Sequence, residues 1–286
     1  MIVHVLEHTI IDNIKLLPFL FLTYLVMEYI EHRTEEKTQE TIARAGKFGP
    51  VPGALLGMIP QCGFSAAASN LYAGRIITLG TLFAVFLSTS DEMLPILLSE
   101  QVPFLTMVKI LGTKALIGIL AGFLIDLIIR KKNPAEDKHL RIEHMCDHEH
   151  CNCNEGNIFV SALKHTLQIF FFILVVSLAI NLAVEWLGED VLASFLTGQP
   201  ILGPVFAGLV GLIPNCASSV VITQLYLEGV IHAGAMMAGL LAGSGVGLLV
   251  LFRANDDLKE NLKITFLLYA TGVAVGILME VLALTF

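Results

Sequence analysis

Two short stretches of an apolar chain carry the same polar signature. Gln61-Cys62 is followed by Ser65, Ser69 and Asn70, and Asn215-Cys216 by Ser218, Ser219, Thr223 and Gln224. Amide, thiol and hydroxyl groups crowded into one or two helical turns can coordinate a metal or hydrogen-bond an oxyanion. Each amide–thiol pair directly follows a proline, Pro60 or Pro214. Proline removes a backbone donor and interrupts a helix, and a helix restarting there offers unpaired N–H groups that suit anions. Gln61, Cys62, Ser65, Asn215, Cys216, Ser218 and Ser219 are therefore the candidate substrate contacts. Ser69 and Thr223 fit hydrogen-bonded helix packing instead.

A second kind of chemistry lies in "LSTSDEMLP", residues 87–95. Asp91 and Glu92 fall inside an apolar run, where acids are costly and mostly functional. A carboxylate there can bind a hard divalent cation or carry a proton. Lys114, about ten residues into the next apolar run, can neutralise one of them or share in ion coupling. A third cluster is "EHMCDHEHCNCN", residues 143–154. His144, Cys146, His148, His150, Cys151 and Cys153 are ligand types for Zn²⁺, Ni²⁺, Co²⁺ or Cu⁺. Their spacing is too crowded for a closed zinc module and fits a chelating loop. Other ionisable groups read as peripheral: Asp126 as a surface partner of Arg130, Glu28 of His32. His165 is a weaker candidate for a proton path, and Tyr72 and Tyr226 fit interfacial anchors.

These residues must be positioned by membrane helices. The 286 residues are 55% hydrophobic and 15% charged, against about 25% charged in soluble domains. Apolar runs at 14–30, 76–98, 104–130, 158–187, 230–252 and 262–286 are each long enough to cross a bilayer. The class is an all-α integral membrane protein, in contact with lipid and not with nucleic acid. No signal-peptide pattern is seen at the amino end. Basic residues crowd 31–48, 130–157 and 253–263, which the positive-inside rule places in the cytoplasm. That placement fails if 49–74 crosses once, and holds if 49–74 and 200–229 each enter the bilayer and return. Arms of about 49–59 and 61–73 are expected, with Pro60 starting the second arm.

Shifted by 154 positions, the two halves align. Gly49-Pro50-Val51, Leu55, Gly57, Ile59, Pro60, Cys62, Ser65 and Leu71-Tyr72 meet identical residues at 203–205, 209, 211, 213, 214, 216, 219 and 225–226, which is 11 identities in 24 positions. Asp91 and Glu92 align with Gly245 and Val246, so the acids break the symmetry. The expected organisation is a first repeat at 1–130, a cytoplasmic His/Cys-rich linker at 131–157 and a second repeat at 158–286. The charge pattern makes the repeats inverted, with five segments each and hairpin tips meeting near the midplane, as in many transporters.

The blocks "GMIPQCGFSAAASNLY" and "GLIPNCASSVVITQLY", with "STSDEM" and "GSGVGLLVLFRAN" after them, resemble the ten-transmembrane heavy-metal exporters of bacteria. These are also described as arsenic efflux or manganese transporters. The resemblance covers essentially the whole chain and implies efflux of a metal or metalloid. The combined expectation is a secondary, proton-coupled exporter in the bacterial cytoplasmic membrane. The Walker pattern GxxxxGK[ST] is absent from the sequence, and no histidine falls in either hairpin to activate a cysteine nucleophile, so an enzyme is disfavoured. The alternative is a transporter of small anions such as phosphate or a carboxylate, using the hairpin helix ends. No tightly bound cofactor is expected beyond a transition-metal ion, as substrate or at the cytoplasmic loop. Gly118-x-x-x-Gly122 and Gly272-x-x-x-Gly276 call for close helix packing, within a subunit or between copies in a homo-oligomer.

Overall fold

In the computed structural model the described residues are a few positions between 10 and 25, then 48–60, 62–90, 93–132, 158–187 and 202–286. They form helices only. The first set is α1 (Pro50–Gly57), α2 (Gly63–Ala73), α3 (Leu79–Ser88), α4 (Met93–Ser99) and α5 (Phe104–Lys132). After α6 (Ile158–Leu187) the same order returns as α7 (Leu202–Gly211), α8 (Cys216–Leu227), α9 (Ala233–Ala242), α10 (Gly247–Ala254) and α11 (Leu258–Val281). The first residues of α3, α4 and α5 recur 154 positions later at α9, α10 and α11.

Short helices arise because the chain repeatedly satisfies its own last-turn carbonyls. Ser88 Oγ donates to Ala84 O at 2.7 Å and Thr89 Oγ1 to Val85 O at 2.8 Å. Such back-bonding competes with helix continuation, and Thr89 turns extended. After α9 the break is made by Gly243, which is extended, and by Gly245, whose φ of +54° favours glycine. Both chains then restart alike: Met93 N donates to Ser90 O at 2.9 Å and Gly247 N to Ser244 O at 3.0 Å. The expected continuous spans 76–98 and 230–252 are thus each two helices joined by a polar break. Apolar content alone could not reveal this, because the breaking residues are small and uncharged except for the acids.

The proline expectation also needs correction. α2 begins at Gly63 and α8 at Cys216, so neither Pro60 nor Pro214 is the first helical residue. They sit in the bend, where Ile59 N has already tightened onto Leu56 O at 3.1 Å and Ile213 N onto Val210 O at 3.1 Å.

Four helical stretches of the described residues are long and apolar enough to cross a membrane: Leu79–Ser99, Phe104–Ile129, Ala233–Ala254 and Leu258–Val281. The two broken stretches are 75% and 83% buried, the two unbroken ones 33% and 28%. The broken helices therefore form the centre, and α5 and α11 present apolar faces such as Leu116, Leu120, Leu124, Leu262 and Phe266 outward. α3 packs against α5 and α1, as α9 packs against α11 and α7. Across the halves the pairing is exchanged, α2 lying on α10 and α8 on α4.

The packing is closest at matched glycines. A Cβ on Gly122 would lie 2.5 Å from the Gly80 carbonyl oxygen, and one on Gly276 2.5 Å from that of Gly234. Gly118 approaches Ala84 O and Gly272 approaches Ala238 O in the same way, at 2.9 and 2.8 Å. Backbone cannot move aside cheaply in a close-packed core. Gly122→Ala and Gly276→Ala are each expected to cost roughly 1–3 kcal/mol, read as an earlier loss of the monodisperse peak on heating in detergent. Gly112→Ala, where a Cβ meets nothing within 4 Å, should leave that transition unmoved.

Candidate functional site

The interruptions between α3 and α4, α7 and α8, and α9 and α10 converge on one cavity. Its lining includes Thr89 and Ser90 from the first break, Asn215, Ser218 and Ser219 at the start of α8, Gly243 and Gly245 from the second break, and Lys114 of α5. The space is about 10 Å³, room for one water-sized guest. Hydroxyls, an amide and an ammonium group surround it, together with the amino end of a 12-residue helix, which carries partial positive charge. Among the described residues no carboxylate lines it.

Lys114 is the organising group. It is 1% exposed, and its Nζ donates to Thr89 O at 2.6 Å and Leu240 O at 2.8 Å. Thr89 caps the carboxyl end of α3, and Leu240 lies in the last turn of α9. Helix carboxyl ends expose unpaired carbonyls with partial negative charge. One ammonium thus joins an interrupted helix of each half and supplies donors to both. The position 154 residues on is Leu268, fully buried. The lysine, like Asp91 and Glu92, has no counterpart in the second half.

Asn215, Ser218, Ser219 and Lys114 are thus brought together. Ser218 Oγ donates to Asn215 O at 2.8 Å, holding the turn that opens α8. Cys62 and Ser65 lie elsewhere. Cys62 is buried and free of any disulfide, in an apolar cluster with Tyr24, Ala66, Ala162, Ile173 and Val246. Ser65 Oγ turns back to Cys62 O at 2.8 Å. Gln61, Asp91 and Glu92 lie outside the described residues, as do His144, Cys146, His148, His150, Cys151 and Cys153. The side chains of Cys216 and His165 lie outside them too, although both backbones are helical.

Two residues read as peripheral are not. Asp126 is buried and takes hydrogen bonds from Gly80 N and Thr78 Oγ1, both at 2.8 Å, so it holds the amino end of α3 rather than lying at the surface. Its counterpart Glu280 accepts from Ala235 N at 3.3 Å. Tyr72 is buried, not an interfacial anchor, and its hydroxyl donates to Glu260 Oε1 at 2.6 Å. Tyr226 is only partly buried. Arg75 completes a bidentate pair with Glu260 at 2.9 and 2.7 Å, and Asn255 donates to Glu260 Oε2 at 3.0 Å. Burial opposes the Arg75 charge, but the Glu260 and Tyr72 contacts outweigh it and raise its pKa. This cluster ties the end of α2 to the start of α11. Sequence reading missed Thr89, Ser90, Gly243 and Gly245, although "TSD" (89–91) and "GSG" (243–245) align at the repeat shift. Nothing in the sequence joins Arg75 to Glu260, 185 positions apart.

The sequence model of a family described as "Putative, 10TM heavy-metal exporter" matches residues 13–185 and 133–266. The chain belongs to this family. No curated protein and no solved structure matches it. Membership in the exporter family, with several apolar helices long enough to span, makes this a multi-pass membrane protein of the transporter class. The Arg75–Glu260 pair of this family member is partly buried and bidentate, the geometry in which such pairs are strongest. A double-mutant cycle with Arg75→Ala and Glu260→Gln should give a coupling of about 1–2 kcal/mol in detergent unfolding.

Proposed function

We propose that this chain is a secondary active transporter that exports a heavy-metal or metalloid substrate from the bacterial cytoplasm, with the cavity at Lys114 as its binding station. The observation that carries this reading is the Lys114 ammonium clasping carbonyls of two interrupted helices beside a polar cavity. Irregular backbone at membrane depth is tolerated where it lines such a space. The repeats are assigned opposite orientations by their flanking charges, so the two hairpins enter from opposite faces. The 131–157 linker divides the repeats on the cytoplasmic side. Its His144, Cys146, His148, His150, Cys151 and Cys153 collect metal ions before or during export.

The chemistry of the station favours a substrate carried in oxygen-ligated form over a bare dication. An ammonium and a helix amino end offer donors to the oxygens of a hydroxylated metalloid such as arsenite. As the water-sized space widens to admit the substrate, Asn215, Ser218 and Ser219 bind those oxygens; Cys216, the first residue of α8, is the thiol candidate of the same tip. Gln61, Cys62 and Ser65 of the first tip belong to the path beyond the cavity. Asp91 or Glu92 carries the coupling proton. The same positive lining favours the second reading, transport of phosphate or a carboxylate, and one experiment separates them.

Inverted vesicles with an imposed proton gradient are offered arsenite, Mn²⁺, Zn²⁺, Co²⁺ and phosphate. Arsenite is expected to accumulate, and Lys114→Met to lower that accumulation at least about tenfold, the effect of losing one charge-assisted hydrogen bond. Asp91→Asn should abolish the dependence on the gradient. Saturable phosphate uptake without arsenite uptake would establish the second reading. Mn²⁺ uptake that survives Lys114→Met would refute the cavity as the station.

A further inference from the structure

α2 and α10 come from different halves and lie side by side. α2 runs from the first hairpin tip to Ala73, and α10 from the second break to Ala254. Gly245, which lines the cavity, stands two residues before α10. The basic segments 31–48 and 253–263 assign the far ends of both helices to the cytoplasm. The seam between them thus leads from the level of the cavity to the cytoplasmic face.

Contacts along this seam are small and polar. A Cβ on Gly247 would lie 2.9 Å from Ser65 Cβ, so the helices nearly touch there. Ser69 Oγ is 2.7 Å from Gly247 O across the seam and 2.9 Å from Ser65 O of its own helix. A hydroxyl has one hydrogen to donate, so it serves one of these carbonyls at a time. If α10 moves away, the Ser69 hydroxyl keeps Ser65 O as its acceptor. Opening here exchanges one hydrogen bond for another.

Among the described residues, two buried side-chain groups lack a hydrogen-bond partner, Asn70 Nδ2 and Ser244 Oγ. Both border this seam. Asn70 is fully buried, and its Oδ1 accepts from Tyr24 Oη at 3.3 Å. Tyr24 packs in one cluster with Cys62 and Ala66 on the α2 side and Val246 and Val250 on the α10 side. Ser244 is 1% exposed, and its carbonyl accepts from Gly247 N at 3.0 Å. A buried donor left unpaired is costly, and native proteins rarely keep one without a use.

At the cytoplasmic end Tyr72 continues the stripe of Ser65 and Ser69 on the same helix face. Its hydroxyl and Arg75 hold Glu260, and Asn255, which caps α10, donates to the same carboxylate. Between this cluster and the cavity, residues 63–73 and 247–252 include no charged side chain.

We infer that the seam of α2 and α10 is the cytoplasmic entry path to the cavity. It is closed in this structure by the Ser69–Gly247 hydrogen bond at its inner end and by the Glu260 cluster at its mouth. The Asn70 amide and the Ser244 hydroxyl meet the oxygens of the substrate on the way. The path takes uncharged hydroxylated molecules, because it offers hydrogen bonds and no counter-ion. The inference rests on the cavity being the substrate station.

Cys62, on the inner stretch of the seam, is its native reporter. Inside-out vesicles expose the cytoplasmic face of the full chain, and right-side-out vesicles the outer face. Each is treated with a membrane-impermeant maleimide, and modification of Cys62 is read by peptide mass spectrometry. Cys62 is expected to be modified from the cytoplasmic face only. Glu260→Gln and Ser69→Ala should each raise that rate several-fold. Asp126→Asn, which frees the amino end of α3 instead, should leave it at the parent value. Modification from the outer face, modification from neither face in any variant, or an equal rise with Asp126→Asn would overturn the path. Lys114→Met should leave the labelling unchanged. If labelling follows this pattern while Lys114→Met accumulates arsenite as the parent does, the station is refuted and the path is not. Parent vesicles that accumulate phosphate or Mn²⁺ but not arsenite would overturn the substrate class.

Discussion

A single ammonium group sits where two interrupted helices end, and the interior is arranged around it. Burying a lysine is tolerable only when its charge and its hydrogens are met. Lys114 meets two carbonyls that the breaks in α3 and α9 leave without helical partners. The dependence is mutual. The carbonyls need a donor because the helices stop, and the lysine can be buried because they do. An apolar side chain, such as Leu268 at the matching place, would leave polar backbone unsatisfied in a region with little water to replace it.

The surrounding scaffold holds this arrangement by close approach rather than by large side chains. The glycine–carbonyl contacts of α3 with α5 recur in α9 with α11 at matched positions. In lipid, helix association has no hydrophobic drive between helices, so such contacts and interhelical hydrogen bonds carry the packing. Each half therefore forms a closely packed layer of three helices, α1, α3 and α5 or α7, α9 and α11. The exchanged pairing of α2 with α10 and α8 with α4 then joins the layers. The cavity lies at that junction because both halves place their weakest helical segments there.

The sequence was most informative where chemistry repeats. The shared Gly-Pro-Val, Pro-x-Cys and Leu-Tyr positions marked both hairpins, and the helices observed begin and end within a few residues of the expected arms. The breaks after α3 and α9 were hidden because Ser, Thr and Gly inside an apolar run are compatible with a continuous span. Ser88 and Thr89 bond back to the preceding turn at the first, and Gly243 and Gly245 turn the backbone at the second. Asp126 was misread because its spacing to Arg130 fits a local pair. The groups it holds inside the fold, Thr78 and Gly80, are 48 and 46 residues away. Tyr72 was misread for the same reason: aromatic character at a helix end does not reveal a carboxylate 188 residues on.

The residues that break the repeat explain more than those that keep it. Two equal halves can build a symmetric cavity, but charges carried by one half only make its two sides chemically different. Asp91, Glu92, Lys114, Arg75 and Glu260 all lack charged counterparts at the repeat shift, where Gly245, Val246, Leu268, Gly229 and Thr106 stand. The other half answers with glycine or an uncharged side chain each time, so none of these charges is duplicated. The fold thus draws its shape from what the halves share, and its direction from the charges that only one half or one junction carries.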